Sequence, residues 1–241
     1  MRKPRFSGES VATRLEPDLF NRKTKRMALQ YKLIPVTHFM QNCSLLWCDK
    51  TLEAVVVDPG GDAARIEAHL EAHGVNLVKI LLTHGHLDHV GAARELAQVH
   101  QVPVEGPQRE DAFLFDAMPD QCRMFGFPHR EPFSPDRWLE EGERIVFGEE
   151  TLEVFHTPGH TPGHVVFFNR AARLAIVGDV LFSGSIGRTD LPRGSYQELI
   201  ASIRNKLWPL GNDVAFVPGH GPMSNIGDER AHNSFVGDCV V

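Results

Sequence analysis

The stretch VNLVKILLTHGHLDHVGAARELAQVH, residues 75–100, decides both the fold and the chemistry of this chain. Its first eight residues predict a buried β-strand, and its last ten predict a helix. Between them, His84, His86, Asp88 and His89 fall within six positions. Polar side chains at the edge of an apolar sheet are costly unless something satisfies them, and imidazole and carboxylate are good ligands for zinc, manganese and iron. The stretch therefore predicts half of a metal site at the tip of a strand.

The residues before and after this stretch alternate between strand and helix patterns. TLEAVVVDPGG predicts a strand that stops at Asp58, and DAARIEAHLEAHG predicts a helix with Asp62 as its N-cap and Gly74 at its end. VPVEGP predicts a further strand. The resulting βαβαβ order favours a covered, parallel or mixed sheet.

The second half of the chain is again rich in strands. Residues 109–143 predict a helical piece followed by a long loop, and RIVFGEETLEVFHTPGH predicts a hairpin that turns at residues 148–150. HVVFFN, LAIVGDVLF and DVAFVPGHG predict strands, and SYQELIASIRNKLWPL predicts one amphipathic helix. Two strand-rich halves, each with helices, predict an α/β fold with two sheets packed face to face and helices outside.

Further potential ligands also follow apolar strands. The seven candidates are His84, His86, Asp88, His89, His160, Asp179 and His220. Seven donors exceed the need of one tetrahedral ion and suit two ions that share a carboxylate, for which Asp179 is the natural choice. Two metal ions about 3.5–4 Å apart can hold a bridging hydroxide, which is the machinery for hydrolysis without a side-chain nucleophile.

Four motifs in order, THGHLDH, TPGHTPGH, GDVLF and PGHG, resemble those of the metallo-β-lactamase superfamily. The resemblance runs from about residue 31 to residue 220 and is greatest to the hydroxyacylglutathione hydrolase (glyoxalase II) group, in particular its short bacterial relatives. It implies an αββα four-layer sandwich with the metal site at one edge. Residues 28–241 would form this single domain.

The resemblance also implies a role for each site residue. His84, His86 and His160 would bind the first metal; Asp88, His89 and His220 would bind the second; Asp179 would bridge the two. Asp58 would orient the ligand histidines. Arg188 would hold a carboxylate of the substrate, the alternative being a solvated loop arginine.

The remaining histidines are interpreted as non-ligands. His164 precedes a strand and is assigned a structural or supporting role, and His156 is not expected to bind metal. The others are expected on loops and helix faces: His38, His69, His73, His100, His129 and His232.

The leading hypothesis is a metal-dependent hydrolase that cleaves a small-molecule thioester such as S-lactoylglutathione. A metal-bound hydroxide would attack the carbonyl, and Asp88 would relay the proton. Two divalent ions are expected, with zinc preferred and iron or manganese also suitable. Full-length glyoxalase II carries a C-terminal helical domain that grips glutathione, whereas about twenty residues follow His220 here. Substrate recognition is therefore expected to rest on the loops of the sandwich.

Three alternatives remain open from the sequence. A persulfide dioxygenase would use one iron held by His84, His160 and Asp179. A lactone or β-lactam hydrolase could use the same ligands as a thioesterase. A non-catalytic metal-binding domain would bind the ion without turnover.

Composition excludes several other classes. The formal charge of −6 argues against a nucleic-acid partner, and no apolar stretch reaches the roughly 20 residues of a membrane span. The four cysteines form no C-x-x-C pair, which argues against a thiolate zinc site and a disulfide framework, so a reducing cytoplasm is the default location. Residues 1–26 hold eight Lys/Arg and three acidic residues, and residues 1–27 are predicted to be a disordered basic extension.

Overall fold

Two β-sheets face each other in this computed structural model, and helices cover both outer faces. The structure describes residues 29–240, so the extension predicted for residues 1–27 lies outside the described residues. The layer order is αββα, and the predicted α/β four-layer sandwich is confirmed.

The first sheet has five strands in the order β1-β2-β3-β4-β5. The first three strands pair antiparallel, and the last three are parallel because helices connect them. The strands are β1 (Leu29–Val36), β2 (Gln41–Cys48), β3 (Glu53–Val57), β4 (Asn76–Leu81) and β5 (Val104–Glu105).

The second sheet has six strands in the order β13-β12-β9-β8-β7-β6. Only the β12–β9 pair is parallel among them. Its strands are β6 (Arg144–Phe147), β7 (Glu150–His156), β8 (Val165–Asn169), β9 (Leu174–Gly178), β12 (Ala215–Pro218) and β13 (Ser224–Asn225). A separate two-stranded ribbon is formed by β10 (Leu181–Phe182) and β11 (Ser185–Ile186).

Helices pack on the outer face of each sheet. Those on the first sheet are α1 (Ala63–His73), α2 (Leu87–Val90), α3 (Ala93–His100), α4 (Ala112–Asp116) and α5 (Met118–Phe125). Those on the second sheet are α6 (Tyr196–Ser202) and α7 (Ile226–His232). None of the helices in residues 29–240 is long and apolar enough to cross a bilayer.

The strands nearest the centre are buried on both faces. In β3, Val55 and Val57 pack between the two sheets, whereas Val56 points outward into the cluster that contains Ile66 of α1. This alternation follows from the two-residue period of a strand. Because both faces of the central strands are covered, the loops at their ends are anchored to rigid supports.

Asp62 is the N-cap residue of α1 and Gly74 its C-cap, as predicted, but two local details differ from the prediction. Asp62 does not cap α1 with its side chain; its backbone is left-handed (φ 50°) and its Oδ2 accepts a hydrogen bond of 2.9 Å from the backbone N–H of Thr37. The predicted long helix ends early, since α6 passes into a π-helical turn (Ile203–Leu207) and then a 3-10 turn that contains Pro209. Proline lacks the N–H that a continuing helix needs.

We expect Phe167→Ala to lower the free energy of unfolding by about 3–5 kcal/mol, because Phe167 is fully buried between the two sheets and its loss leaves a cavity. Urea unfolding of the metal-free protein measures the change. The control is Val146→Ala on β6, where the side chain is 57% exposed and the change should stay within about 0.5 kcal/mol. Equal losses in the two variants would contradict the assigned core.

Candidate metal centre

The seven predicted ligands lie together at one edge of the sandwich. His84 and His86 lie in the loop after β4, and Asp88 and His89 lie on α2, the short helix that follows. The other three come from the second sheet, in the loops after β7, β9 and β12. Both sheets therefore supply ligands, and the ligands fall into two clusters with Asp179 between them.

Three histidines form the first cluster. The Nδ1 atom of His86 lies 3.0 Å from the Nε2 of His84 and 3.0 Å from the Nε2 of His160. All three ligand atoms lie within 4.8 Å of one another. Three imidazole nitrogens at this spacing can bind one metal ion.

The second cluster contains Asp88, His89 and His220, whose ligand atoms also lie within 4.8 Å of one another. The Oδ2 atom of Asp88 lies 3.2 Å from the Nε2 of His220 and 3.8 Å from the Nε2 of His89. This mixed nitrogen and oxygen set also suits zinc, manganese or iron.

Asp179 lies between the two clusters. Its Oδ1 is 3.4 Å from the Nε2 of His89, and its Oδ2 is 3.6 Å from the Nε2 of His160 and 3.7 Å from that of His220. One carboxylate thus reaches ligands of both clusters, which is the position that a shared ligand requires.

Hydrogen bonds on the far side of the rings fix which nitrogen faces the centre. The Nδ1 of His160 is 2.8 Å from the backbone oxygen of Arg188, and the Nδ1 of His220 is 3.2 Å from that of Phe39. A carbonyl oxygen only accepts, so each Nδ1 must carry the proton and each Nε2 is left with a lone pair. Both rings therefore hold the tautomer that binds metal through Nε2.

Asp58 orients one histidine of each cluster. Its Oδ2 accepts from the Nδ1 of His89 at 2.9 Å, and its two oxygens accept from the N–H and the hydroxyl of Thr83 at 2.7 and 2.6 Å. The Thr83 hydroxyl oxygen in turn lies 3.0 Å from the Nδ1 of His84. Asp58 thus contacts His89 directly and His84 through Thr83, whose only sequence signal is its position directly before His84.

Burial keeps the rings of the first cluster neutral. Removal from water, together with neighbouring imidazoles, lowers the pKa of His84 well below its usual value, and burial lowers the pKa of His86 to about 3. Burial also lowers the pKa of His160, although Asp179 opposes the change. Neutral imidazole is the form that binds metal.

In the second cluster, neighbouring carboxylates outweigh burial in setting the pKa of His89. Burial lowers the pKa of His89, but the carboxylates of Asp179, Asp88 and Asp58 outweigh burial and raise it well above its usual value. Burial raises the pKa of Asp179, but the adjacent His89, His160 and His220 outweigh burial, so the pKa falls well below its usual value. Asp179 is therefore ionised at neutral pH.

Two buried atoms of the centre show that a cation fits it. Among residues 29–240, the Nε2 of His89 and the Oδ1 of Asp179 are buried and have no hydrogen-bond partner. Leaving such atoms unsatisfied costs about 1–3 kcal/mol each. Both atoms face the space between the ligands, and a divalent cation there would satisfy both.

The chain leaves no room for a side chain at Gly219. A Cβ built on this residue would lie 2.0 Å from the Oδ1 of Asp179 and 2.7 Å from the Cε1 of His89. Glycine therefore allows the loop after β12 to pass directly beside the centre and to present His220.

The other histidines are not ligands in this arrangement. The Nε2 of His164 accepts from the backbone N–H of Asp179 at 3.1 Å, and its Nδ1 lies 3.3 Å from the hydroxyl of Thr157, so both nitrogens are used in supporting Asp179. The Nε2 of His156 lies 2.8 Å from the backbone oxygen of Pro162. The remaining six lie on loops and helix faces, as expected.

A cleft of about 320 Å³ opens onto the centre. Its apolar lining consists of Phe39, Phe125 and Leu191, which come from three distant parts of the chain and were missed by the sequence analysis. Arg188 also lines the cleft, and its exposed guanidinium binds both oxygens of Asp190 at 2.7 and 2.6 Å. The arginine therefore lies at the cleft as predicted, but its charge is paired within the loop.

Comparisons with known proteins agree with this geometry. The signature of the metallo-beta-lactamase superfamily matches residues 36–220. A hydroxyacylglutathione hydrolase, GloC, from Haemophilus influenzae is 48% identical over 209 residues, which cover 86% of this chain and 98% of the relative.

Two solved structures share both the fold and recognisable sequence. The BLEG-1 B3 metallo-beta-lactamase superimposes with a TM-score of 0.80 at 37% identity and covers 86% of this chain and 99% of its own. TTHA1623, solved in a di-iron-bound form, has a TM-score of 0.77 at 34% identity and covers 85% of this chain and 99% of its own.

We expect Asp58→Asn to weaken metal binding about 10- to 100-fold, because an amide must turn its NH₂ toward one of the three donors that now point at the carboxylate. Competition with a chromogenic chelator measures the affinity. Asp62→Asn is the matched control, since both aspartates have a left-handed backbone (φ 53° and 50°) that asparagine tolerates. Unchanged affinity in Asp58→Asn would refute the orienting role.

Proposed function

The chain belongs to the metallo-β-lactamase superfamily and is a metallo-hydrolase of that superfamily, and we propose that it hydrolyses a small-molecule thioester such as S-lactoylglutathione. The observation that carries the proposal is the pair of ligand clusters that share Asp179 at the base of a cleft. The relative named as a hydroxyacylglutathione hydrolase, at 48% identity, supports the choice of a thioester.

The proposed cofactor is a pair of divalent ions. His84, His86 and His160 would hold one ion; Asp88, His89 and His220 would hold the other; Asp179 would contact both. Zinc is the proposed metal, and the ligands suit iron or manganese as well; a related protein, TTHA1623, was solved with two irons. When bound, such ions polarise a carbonyl group and lower the pKa of water to about 7.

Proton transfer is assigned to Asp88. The residue lines the cleft, and burial, which raises its pKa, is outweighed by His89 and His220, so that the pKa falls below its usual value. An ionised carboxylate can take the proton that water loses as it attacks the thioester carbon. When the carbon–sulfur bond breaks, the same proton passes to the departing thiolate, which leaves as a thiol beside the carboxylic acid.

The apolar side of the cleft positions the substrate. Phe39, Phe125 and Leu191 can contact methylene groups of the thiol or the acyl chain and exclude water from the reacting bond. Phe39 contributes twice, since its backbone oxygen also accepts from His220. Substrate binding and ligand orientation thus meet at the tip of the β1–β2 hairpin.

The second cluster supports hydrolysis over oxygen chemistry. A single-iron dioxygenase would use His84, His160 and Asp179 alone, and it would give Asp88 and His220 no role. Here these two residues approach to 3.2 Å beside Asp179. Hydrolysis rates on a panel of thioesters, lactones and β-lactams distinguish the hydrolase classes. Oxygen consumption in the presence of glutathione persulfide tests for the dioxygenase.

We expect His84→Ala and Asp179→Ala to lower kcat/KM on S-lactoylglutathione more than about 100-fold, because each removes a metal ligand rather than a supporting residue. Thiol release at saturating Zn²⁺ measures the rate. The matched control is His156→Ala, since that ring is bonded to the backbone oxygen of Pro162 and is in neither ligand cluster, so the rate should stay near wild type. Wild-type rates in His84→Ala would refute the proposal.

We also propose that Arg188 contacts a carboxylate of the substrate. Arg188→Ala should raise KM for a carboxylate-bearing thioester about 5-fold and leave a neutral thioester unchanged, because an exposed, already paired arginine contributes about 1 kcal/mol. Asp190→Asn, which frees the guanidinium, should lower the same KM. Equal effects on charged and neutral thioesters would show that Arg188 is a solvated loop residue.

A further inference from the structure

Asp111 is a buried carboxylate outside both ligand clusters. It closes the 3-10 turn Arg109–Asp111 that leads into α4, and it has no exposed surface. Its sequence context does not single it out, since it lies in the weakly patterned segment 109–143. A buried carboxylate must be satisfied by hydrogen bonds or ions, so its partners indicate its purpose.

Three donors point at this carboxylate. Its Oδ2 accepts from the backbone N–H of Gly85 at 2.9 Å and from the hydroxyl of Thr161 at 2.8 Å, and its Oδ1 accepts from the backbone N–H of Gly163 at 2.6 Å. Burial raises the pKa of Asp111 to about 6, while the three hydrogen bonds oppose that rise. At neutral pH the group is therefore an ionised acceptor.

The donors belong to the two loops that carry the first cluster. Gly85 stands between His84 and His86, and Thr161 directly follows His160. The backbone oxygen of Gly163 also accepts from the N–H of Gln108 at 2.9 Å, which ties the second loop to the segment that carries Asp111. One carboxylate thus joins a loop of the first sheet to a loop of the second.

The second cluster is supported by other groups. His89 is oriented by Asp58, and His220 by the backbone oxygen of Phe39. None of the hydrogen bonds made by the Asp111 side chain reaches Asp88, His89 or His220. Asp111 therefore anchors loops of the first cluster, whereas Asp58 contacts His89 directly and reaches His84 only through Thr83.

We propose that Asp111 is a positioning residue for the first ion: it holds the loops after β4 and β7 at the separation that brings the ring nitrogens of His84, His86 and His160 together. The carboxylate touches neither the ion nor the substrate and acts through the backbone. The inference rests on the metal-binding part of the proposed function and is independent of which ester is cleaved.

The test measures Zn²⁺ affinity at each cluster separately, by chelator competition in two backgrounds. With His220→Ala, the intact first cluster is measured; with His86→Ala, the intact second cluster is measured. Asp111→Asn should weaken Zn²⁺ binding about 10- to 100-fold in the first background and leave it unchanged in the second. Asp116→Asn, an exposed aspartate on α4, the helix that follows the turn of Asp111, is the matched control.

A second variant tests the mechanism of this effect. Thr161→Val keeps the side-chain shape but removes one donor to Asp111, so it should weaken Zn²⁺ binding at the first cluster less than about 10-fold. In the double variant it should cause no further loss of affinity if Asp111→Asn has already broken the same hydrogen bond. If Thr161→Val instead caused a general structural defect, its loss of Zn²⁺ affinity would add to that of Asp111→Asn. If Asp111→Asn fails to fold, Thr161→Val in the two backgrounds decides the question.

Equal weakening at both clusters, or no weakening at either, would overturn the positioning role. The proposed function has its own point of failure: wild-type protein that binds two Zn²⁺ ions but cleaves no thioester would refute that function and leave the role of Asp111 intact.

Discussion

The metal centre depends on holding several imidazole nitrogens close together. Lone pairs of imidazole nitrogens, such as the Nδ1 of His86 and the Nε2 of His84 at 3.0 Å, do not attract one another without a cation or a shared proton. Hydrogen bonds on the outer side of the rings hold this arrangement: His89 donates to Asp58, and His160 and His220 donate to backbone oxygens. These hydrogen bonds set the orientation of the ligand rings, which is what supporting contacts contribute to a metal site.

The sandwich makes this arrangement possible because its strands end at a common edge. Central strands such as β3 are covered on both faces, so their ends move little, and each ligand follows a strand end or lies on the short helix α2. Glycines such as Gly219 let the loops pass beside the carboxylate of Asp179 without a clash. Rigid supports and close-fitting loops together give the precision that metal ligation requires.

Much of this organisation was predictable from the sequence because it depends on residues that are neighbours along the chain. Strand and helix periods gave the order of elements, and each ligand lies next to an apolar strand, so that Asp179 and His220 could be named from their neighbours alone. Asp111 could not be found in this way, because its donors lie 26, 50 and 52 residues away. For the same reason the prediction found Asp62 as the N-cap residue of α1 but missed the hydrogen bond of its side chain with Thr37, 25 residues away. Periodicity identifies elements, whereas such contacts exist only after the chain has folded.

Ligands from both sheets give the ions a second role, as cross-links between the halves of the sandwich. His86 belongs to a loop of one sheet and His160 to a loop of the other, and an ion held by both can stay bound only while the sheets remain stacked. By mass action, each ion that binds the native state alone stabilises it by RT ln(1 + [M]/Kd), about 2.7 kcal/mol when free metal is 100 times Kd. The free metal concentration thereby affects the folding equilibrium, and the protein is easier to unfold when metal is scarce.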